Sequence, residues 1–273
     1  MHGYQILEGN TMTVNETVIV ERHEGVAEIV LNRPEQRNAL NAAMCDELRA
    51  AAVALRADDA IHCVIVRANG PVFCAGADLK ERKGMTIDNV RARRLKAFAA
   101  YDAIEKIGKP CIALVEGAAV GSGGEIAMAC DFIIATDNAS FRTPEALWGT
   151  VGATQRLPRI VGKRLAKDMA YTGRTLSVKE AQQAGLVSRI VPASEAVSIV
   201  REMARDVAAA PVLAMQLTRD CIDRGVETDP AGALAIEMLA IDTLLQDSDW
   251  NQSISTFGQS NDSAEQDKET RHA

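Results

Sequence analysis

Histidine is scarce in this chain, with four among 273 residues. His2 and His272 lie at the two ends, and His23 and His62 flank or open strand-like runs. A Ser-His-Asp or Cys-His nucleophile needs a histidine beside the attacking group. A zinc site needs a His/Cys cluster. Neither pattern is present, which leaves carboxylates and backbone donors to carry any chemistry and predicts no metal. The six cysteines, Cys45, Cys63, Cys74, Cys111, Cys130 and Cys221, contain no CxxC pair and mostly sit among apolar residues. That is the usage of buried free thiols in a reducing compartment. Long hydrophobic runs are lacking too. No stretch reaches the roughly 18 apolar residues of a membrane span, and none in the first twenty residues suggests a secretory signal, so the expected location is cytoplasmic. A basic excess is also missing. The formal net charge is −7, whereas a nucleic-acid footprint requires a basic face. The longest basic cluster, Arg91 to Lys96, follows Asp88 and reads as a solvated helix face.

What is present is globular in balance, with 47% hydrophobic and 25% charged residues, enough for one large core and an appendage. Residues 1–12 read as a loose leader. Thr17 to Arg22 and Val26 to Leu31 read as strands around a Glu24-Gly25 turn. Apolar residues at Leu40, Met44 and Leu48 predict an amphipathic helix over 39–56. His62 to Ala68, Cys111 to Val115 and Phe132 to Thr136 read as further strands. Val90 to Ile107 reads as a helix that stops before Lys109-Pro110. This alternation predicts an α/β architecture. From Thr143 onward helix signals dominate. Thr143-Pro144-Glu145 offers a cap and then proline at a first helical position, Ser177 to Glu180 is a capping box, and helices are expected over 201–209, 212–224 and 229–245. The predicted organisation is a core over 13–195, a helical oligomerisation region over 196–257 and a disordered tail over 258–273, where Leu, Ile, Val and Phe are absent.

Three local features could carry chemistry, and each also has a purely structural explanation. Gly121-Ser122-Gly123-Gly124 leads into a helix at Glu125, where glycines permit close backbone approach and free N–H groups could hold an oxyanion. Ser122 and Glu125 equally form an ordinary capping box. The small-residue run from Cys74 to Asp78 follows a strand and could aim its N–H groups at a ligand, or simply be a tight loop. Glu145 stands in a first helical turn, which acidic residues favour for their interaction with the helix dipole.

Taken together, these features resemble a known family. FCAGADLK over 73–80, EGAAVGSGGEIAMACD over 116–131, FRTPE over 141–145 and TQRL over 154–157 are similar, in order, to blocks of the crotonase (enoyl-CoA hydratase/isomerase) family. Asn32-Arg33-Pro34, Asn38-Ala39-Leu40, LAKDM over 165–169 and AQQAGLV over 181–187 belong to the same pattern, which runs from about residue 17 to 245. The resemblance implies a crotonase-like spiral of ββα units with a C-terminal helical region, assembled as a homotrimer or homohexamer. It implies a bent acyl-CoA as the partner, with the coenzyme A thioester as substrate and no separate cofactor. It places backbone N–H donors for the thioester oxygen at Ala75 and Ser122, coenzyme A contacts along Ala75, Ala77, Asp78, Leu79 and Lys80, and the two carboxylates of a hydratase at Glu125 and Glu145. Glu125 would activate water and Glu145 would deliver a proton to C2.

The chain departs from the family in four places. Ser122 replaces a usual glycine. Only Val151-Gly152-Ala153 separates Gly149-Thr150 from Thr154, about three residues fewer than family hydratases have. Phe257-Gly258-Gln259-Ser260 stands where a basic C-terminal block is usual. Trp148 occupies a position of smaller aliphatics and is expected to restrict the acyl pocket. Competing expectations are isomerisation or thioester hydrolysis on the same fold, or a non-catalytic RNA-binding relative. A nicotinamide site at Gly121 is disfavoured, because the spacing does not match GxGxxG.

Overall fold

Val26 to Leu31 and Cys63 to Ala68 are rich in Val, Ile and Leu, as suits strands covered on both faces. In the computed structural model, which describes residues 3–7, 10–14 and 16–247, they lie at the centre of an eight-stranded sheet. Its strands are β1 (Gly3–Leu7), β2 (Asn10–Val14), β3 (Val18–His23), β4 (Val26–Leu31), β5 (Cys63–Ala68), β6 (Cys111–Val115), β8 (Phe132–Thr136) and β11 (Arg189–Val191). The strands β1 to β4 pair antiparallel, and from β4 onward the pairing is parallel. A second sheet holds β7 (Ala118–Val120), β9 (Ser140–Arg142) and β10 (Thr175–Ser177), in the order β10-β9-β7. The chain steps from β6 in the large sheet to β7 in the small one and then into α4 (Ser122–Met128). It repeats the move through β8 and β9. This is the ββα spiral expected.

Helices α1 (Ala42–Arg56) and α3 (Ile87–Glu105) pack on one another and close one side of the core. Asn41 caps α1 by accepting from the Met44 N–H, and Thr86 caps α3 by accepting from the Asn89 N–H; each cap satisfies one otherwise unpaired amide. Buried Met44, Leu48, Phe73, Tyr101 and Ile104 fill the space between the helices and both sheets. Between α1 and α3 lies the short α2 (Leu79–Arg82), capped by the Asp78 carboxylate, where only a small-residue loop was expected.

After β9 come α5 (Arg156–Thr172), then β10, α6 (Val178–Gln183) and, beyond β11, α7 (Ala196–Ala209). The Ser177–Glu180 capping box is formed in full at the start of α6. On the far face of the large sheet, α7 lays Ala196, Val200, Ala204 and Ala208 against Val26, Cys63, Ile65, Ile112 and Leu114. Small residues at these positions let the helix approach the sheet closely. The chain divides into two compact units between Ala210 and Pro211, not at 195–196. The division falls later because the α7 face is part of the first unit's core. The second unit contains α8 (Val212–Gly225) and α9 (Pro230–Asp247), which pack on each other. The tail expected over 258–273 lies outside the described residues.

Two further expectations are corrected. Residues 3–7 and 10–14 are not a loose leader but an antiparallel pair that extends the large sheet; Thr11, Thr13 and Val14 are β-branched and suit it. The helix anticipated at Thr143-Pro144-Glu145 is a single 3₁₀ turn, Glu145–Trp148, without a side-chain cap. It ends at Gly149, whose φ of 69° breaks the helical path. None of the helices among the described residues is long and apolar enough to cross a membrane.

Candidate active site

Three chain segments converge where the spiral passes from the large sheet to the small one. A short parallel bridge pairs Cys74 with Ala119, and a second pairs Leu40 with Ala77. The Cys74 N–H donates to Ala118 O, and the Val120 N–H donates to Cys74 O. The small-residue loop is thereby stitched to the strand that precedes Gly121. Fully buried Asn38 fastens the loop from behind. Its amide oxygen accepts from the Arg33 N–H and its amide nitrogen donates to Asn69 O and Val72 O. Its φ of 51° is a left-handed conformation that asparagine tolerates.

The convergence encloses a cavity of about 390 Å³ whose lining includes Ala75, Ala77, Leu79, Ser122, Glu125, Glu145 and Trp148. These seven were singled out from the sequence. Asp78 and Lys80 were also expected to contact coenzyme A, but neither lines the cavity. The Asp78 carboxylate accepts from Arg33 at 3.0 Å and caps α2; Lys80 is exposed. The Ala75 N–H donates to Arg37 O at 3.0 Å, so its use on a thioester oxygen would be a three-centre bond or an exchange of partner. Ser122 is the first residue of α4, and the helix itself leaves such an N–H without an acceptor. The anticipated capping box is absent. Gly121 is the N-cap and no side chain caps the helix.

The two carboxylates share the cavity but differ in their partners. Glu125 is buried and Arg156 Nη1 donates to its Oε2 at 2.9 Å. Arg156 also pairs with Glu105 and lies over the Tyr101 ring, 6.0 Å from its centroid. Glu145 has no such cation. Its Oε2 is buried without a hydrogen-bond partner. Burial, and secondarily the charge of Glu125, push its pKa above the ordinary carboxylate value. Backbone wraps Glu145 closely. A Cβ built on Gly121 would lie 2.2 Å from its Oε1, and one on Gly152 2.8 Å from its Cγ. Arg94 Nη2 holds this short wrapping segment by donating to the Thr150 hydroxyl (2.5 Å) and to Val151 O (2.6 Å).

Sequence reasoning missed Arg82, Arg94, Tyr101 and Arg156 as cavity or supporting residues. Arg156 lies in the TQRL block and could have been flagged there. The others sit on α2 and α3, where sequence spacing gives no sign of the wall they form. Outside the cavity, Glu21, His23 and Glu28 bring possible metal-ligand atoms within 4.8 Å of one another. Arg67 and Arg201 already ion-pair with both carboxylates, so the cluster is a guanidinium–carboxylate network.

A sequence model described as enoyl-CoA hydratase/isomerase matches residues 21–265. Among curated proteins, a probable mitochondrial enoyl-CoA hydratase of Arabidopsis thaliana is 37% identical over 86% of this chain and 79% of its own length. A crotonyl-CoA hydratase of Syntrophomonas wolfei is 34% identical over 89% of this chain and 95% of its own. Among solved structures, an enoyl-CoA hydratase from Bacillus anthracis superposes with a TM-score of 0.86 at 32% identity, covering 90% of this chain and 97% of that one.

Proposed function

We propose that this chain, which belongs to the enoyl-CoA hydratase/isomerase family, adds water across the C2=C3 double bond of a 2-enoyl-CoA to give a 3-hydroxyacyl-CoA. The observation that carries the reading is the pair of carboxylates in one cavity, Glu125 paired with Arg156 and Glu145 with a buried, unpartnered Oε2. One carboxyl to take a proton from water and a second to deliver a proton to carbon is what acid–base hydration requires. Glu125, held by Arg156, is the base. Glu145, whose pKa is raised by burial, is the acid.

The steps follow from these roles. Glu125 takes a proton from water, and the hydroxide oxygen bonds to C3. The π electrons of C2=C3 shift toward the thioester oxygen, which gains enolate character. The Ser122 N–H and the Ala75 loop face that oxygen, and each such donor is worth about 3 to 4 kcal/mol in comparable sites. As the enolate collapses, Glu145 protonates C2. Afterwards Glu125 holds a proton and Glu145 lacks one, and exchange with solvent restores both. The thioester supplies the electron sink, so the reaction calls for no metal or redox cofactor. Coenzyme A contacts along 75–80, with Asp78 as the loop's anchor, and an acyl pocket bounded by Trp148 belong to the same proposal. So do a cytoplasmic location, in keeping with five buried free thiols, and a homotrimer or homohexamer. Exposed Leu234, Met238 and Leu239 on α9 support the assembly.

The test is hydration of crotonyl-CoA, followed by loss of the conjugated enoyl thioester absorbance. Glu125→Gln and Glu145→Gln should each lower turnover by at least about 10²-fold, with substrate affinity little changed. Near-normal turnover in either variant removes that residue from the mechanism. Loss in Glu145→Gln alone would replace hydration by one-carboxylate isomerisation.

A further inference from the structure

The cavity carries more positive charge than hydration uses. Arg82, Arg93 and Arg94 all line it. Two of them are engaged. Arg93 Nε donates to Glu81 at 2.7 Å and its Nη2 donates to Leu40 O, while Arg94 holds Thr150 and Val151. Arg82 is different. Its Nε is buried with no hydrogen-bond partner, and it forms no ion pair with any described residue. Burial first, then the charges of Arg93 and Arg94, lower its pKa. A guanidinium desolvated beside two others is in a poor state by itself and gains most from an anion brought to it. Phe98 and Trp148, also on the cavity lining, add apolar wall. Apolar wall with one unpaired guanidinium fits a short carbon chain that ends in a carboxylate, whose two oxygens match the planar fork.

We propose that Arg82 is a specificity residue selecting a 2-enoyl-CoA whose acyl chain ends in a carboxylate; this rests on the hydratase reading above. The thioester end lies at Ala75 and Ser122 and the reacting carbons lie between Glu125 and Glu145. The far end of a short acyl chain then meets the α2–α3 wall. Two other uses of Arg82 are separable from this one. It could bind a phosphate of coenzyme A, which would serve every thioester alike. It could act on Glu145 through charge, since Arg94 and Arg82 both oppose the rise in that residue's pKa.

The experiment compares crotonyl-CoA with its terminally carboxylated counterpart, 4-carboxybut-2-enoyl-CoA, on the wild-type chain, Arg82→Gln and Arg82→Lys. Free coenzyme A serves as competitive inhibitor. The expected result is a kcat/KM preference of the wild type for the carboxylated thioester of about 30-fold or more, the scale set by one buried charged partner. Arg82→Gln should collapse that ratio toward unity, and Arg82→Lys should keep part of it, because a point charge replaces the fork. Inhibition by free coenzyme A should be the same in all three proteins. A wild type that hydrates crotonyl-CoA with no such preference overturns the proposal and leaves the hydratase reading intact. Arg82→Gln weakening both thioesters and free coenzyme A together overturns it in favour of a phosphate contact. An equal loss on both thioesters with a displaced pH–rate profile overturns it in favour of an effect on Glu145. If the wild type hydrates neither thioester, the hydratase reading itself falls and takes this proposal with it.

Discussion

Gly121 gives the sharpest test of how Glu145 is held. A Cβ added there would meet Glu145 Oε1 at 2.2 Å, against the 3.4 Å at which ordinary contact begins. The carboxylate must therefore move by about 1.2 Å, and a misplacement of about 1 Å at a reacting group costs on the order of 10²-fold in rate. Gly121 also has φ 51° and ψ −107°, a conformation that costs a side-chain-bearing residue about 1–3 kcal/mol. Gly121→Ala should therefore lose both activity and stability. Gly149→Ala separates the two effects. Gly149 has φ 69° but no atom within 4 Å of an added Cβ, so that variant should lose about 1–2 kcal/mol and keep near-wild-type turnover. For a unit of this size each kcal/mol lowers Tm by about 2–4 °C. The assay is kcat on crotonyl-CoA beside thermal unfolding of both variants. If Gly121→Ala turned over within about threefold of Gly149→Ala, the close wrapping of Glu145 would have no part in placing it.

Three further outcomes are expected. Ser122→Gly should keep most activity, because the backbone N–H remains, whereas Ser122→Pro, which lacks that N–H, should abolish it; a large loss in the glycine variant would give the Ser122 hydroxyl a direct part in the reaction. Glu145→Gln should stabilise the fold more at about pH 8 than at about pH 5. The sign follows from the raised pKa of Glu145: stability from its protonated form is present below the ordinary value and is lost as pH rises through the raised one. Urea unfolding at the two pH values measures the difference, and an equal gain at both would contradict it. Burial raises the Cys45 thiol to about 11 and those of Cys63 and Cys74 to about 12. A thiol reagent near neutral pH should therefore label half-exposed Cys221 in the native protein and reach the five buried thiols only after denaturation.

Where local chemistry decides the outcome, the sequence was readable. Strands β4, β6 and β8 fall on the predicted residues because runs of Val, Ile and Ala bounded by turns allow little else. The Ser177–Glu180 box formed as read, since both partners lie within one turn. Glu125 and Glu145 were legible through ordered motifs, not through any local property. What failed depended on distant partners. Ser122 and Glu125 have the spacing of a capping box, but Gly121 takes the N-cap position and Arg156 on α5 takes the carboxylate. The Thr143-Pro144 helix stopped after one turn at Gly149. The appendage boundary moved because the faces of α7 and the large sheet fit one another, which periodicity within α7 alone cannot reveal. Arg82 gave no signal at all, because an unpaired guanidinium looks like any surface arginine until its surroundings are known.

Each passage from the large sheet to the small one ends in a segment bearing a single carboxylate. Glu125 follows β7 and Glu145 follows β9, so the two belong to successive turns of the spiral, each anchored by its own strands. Neither lies within a strand. Their identities can therefore drift independently over generations. One substitution at Glu125 would free Arg156 Nη1 but leave the strands that carry Glu145 in place, turning a two-carboxylate site into a one-carboxylate site. Under the proposed mechanism, reactions that need only one proton carrier are thus a single substitution away from hydration.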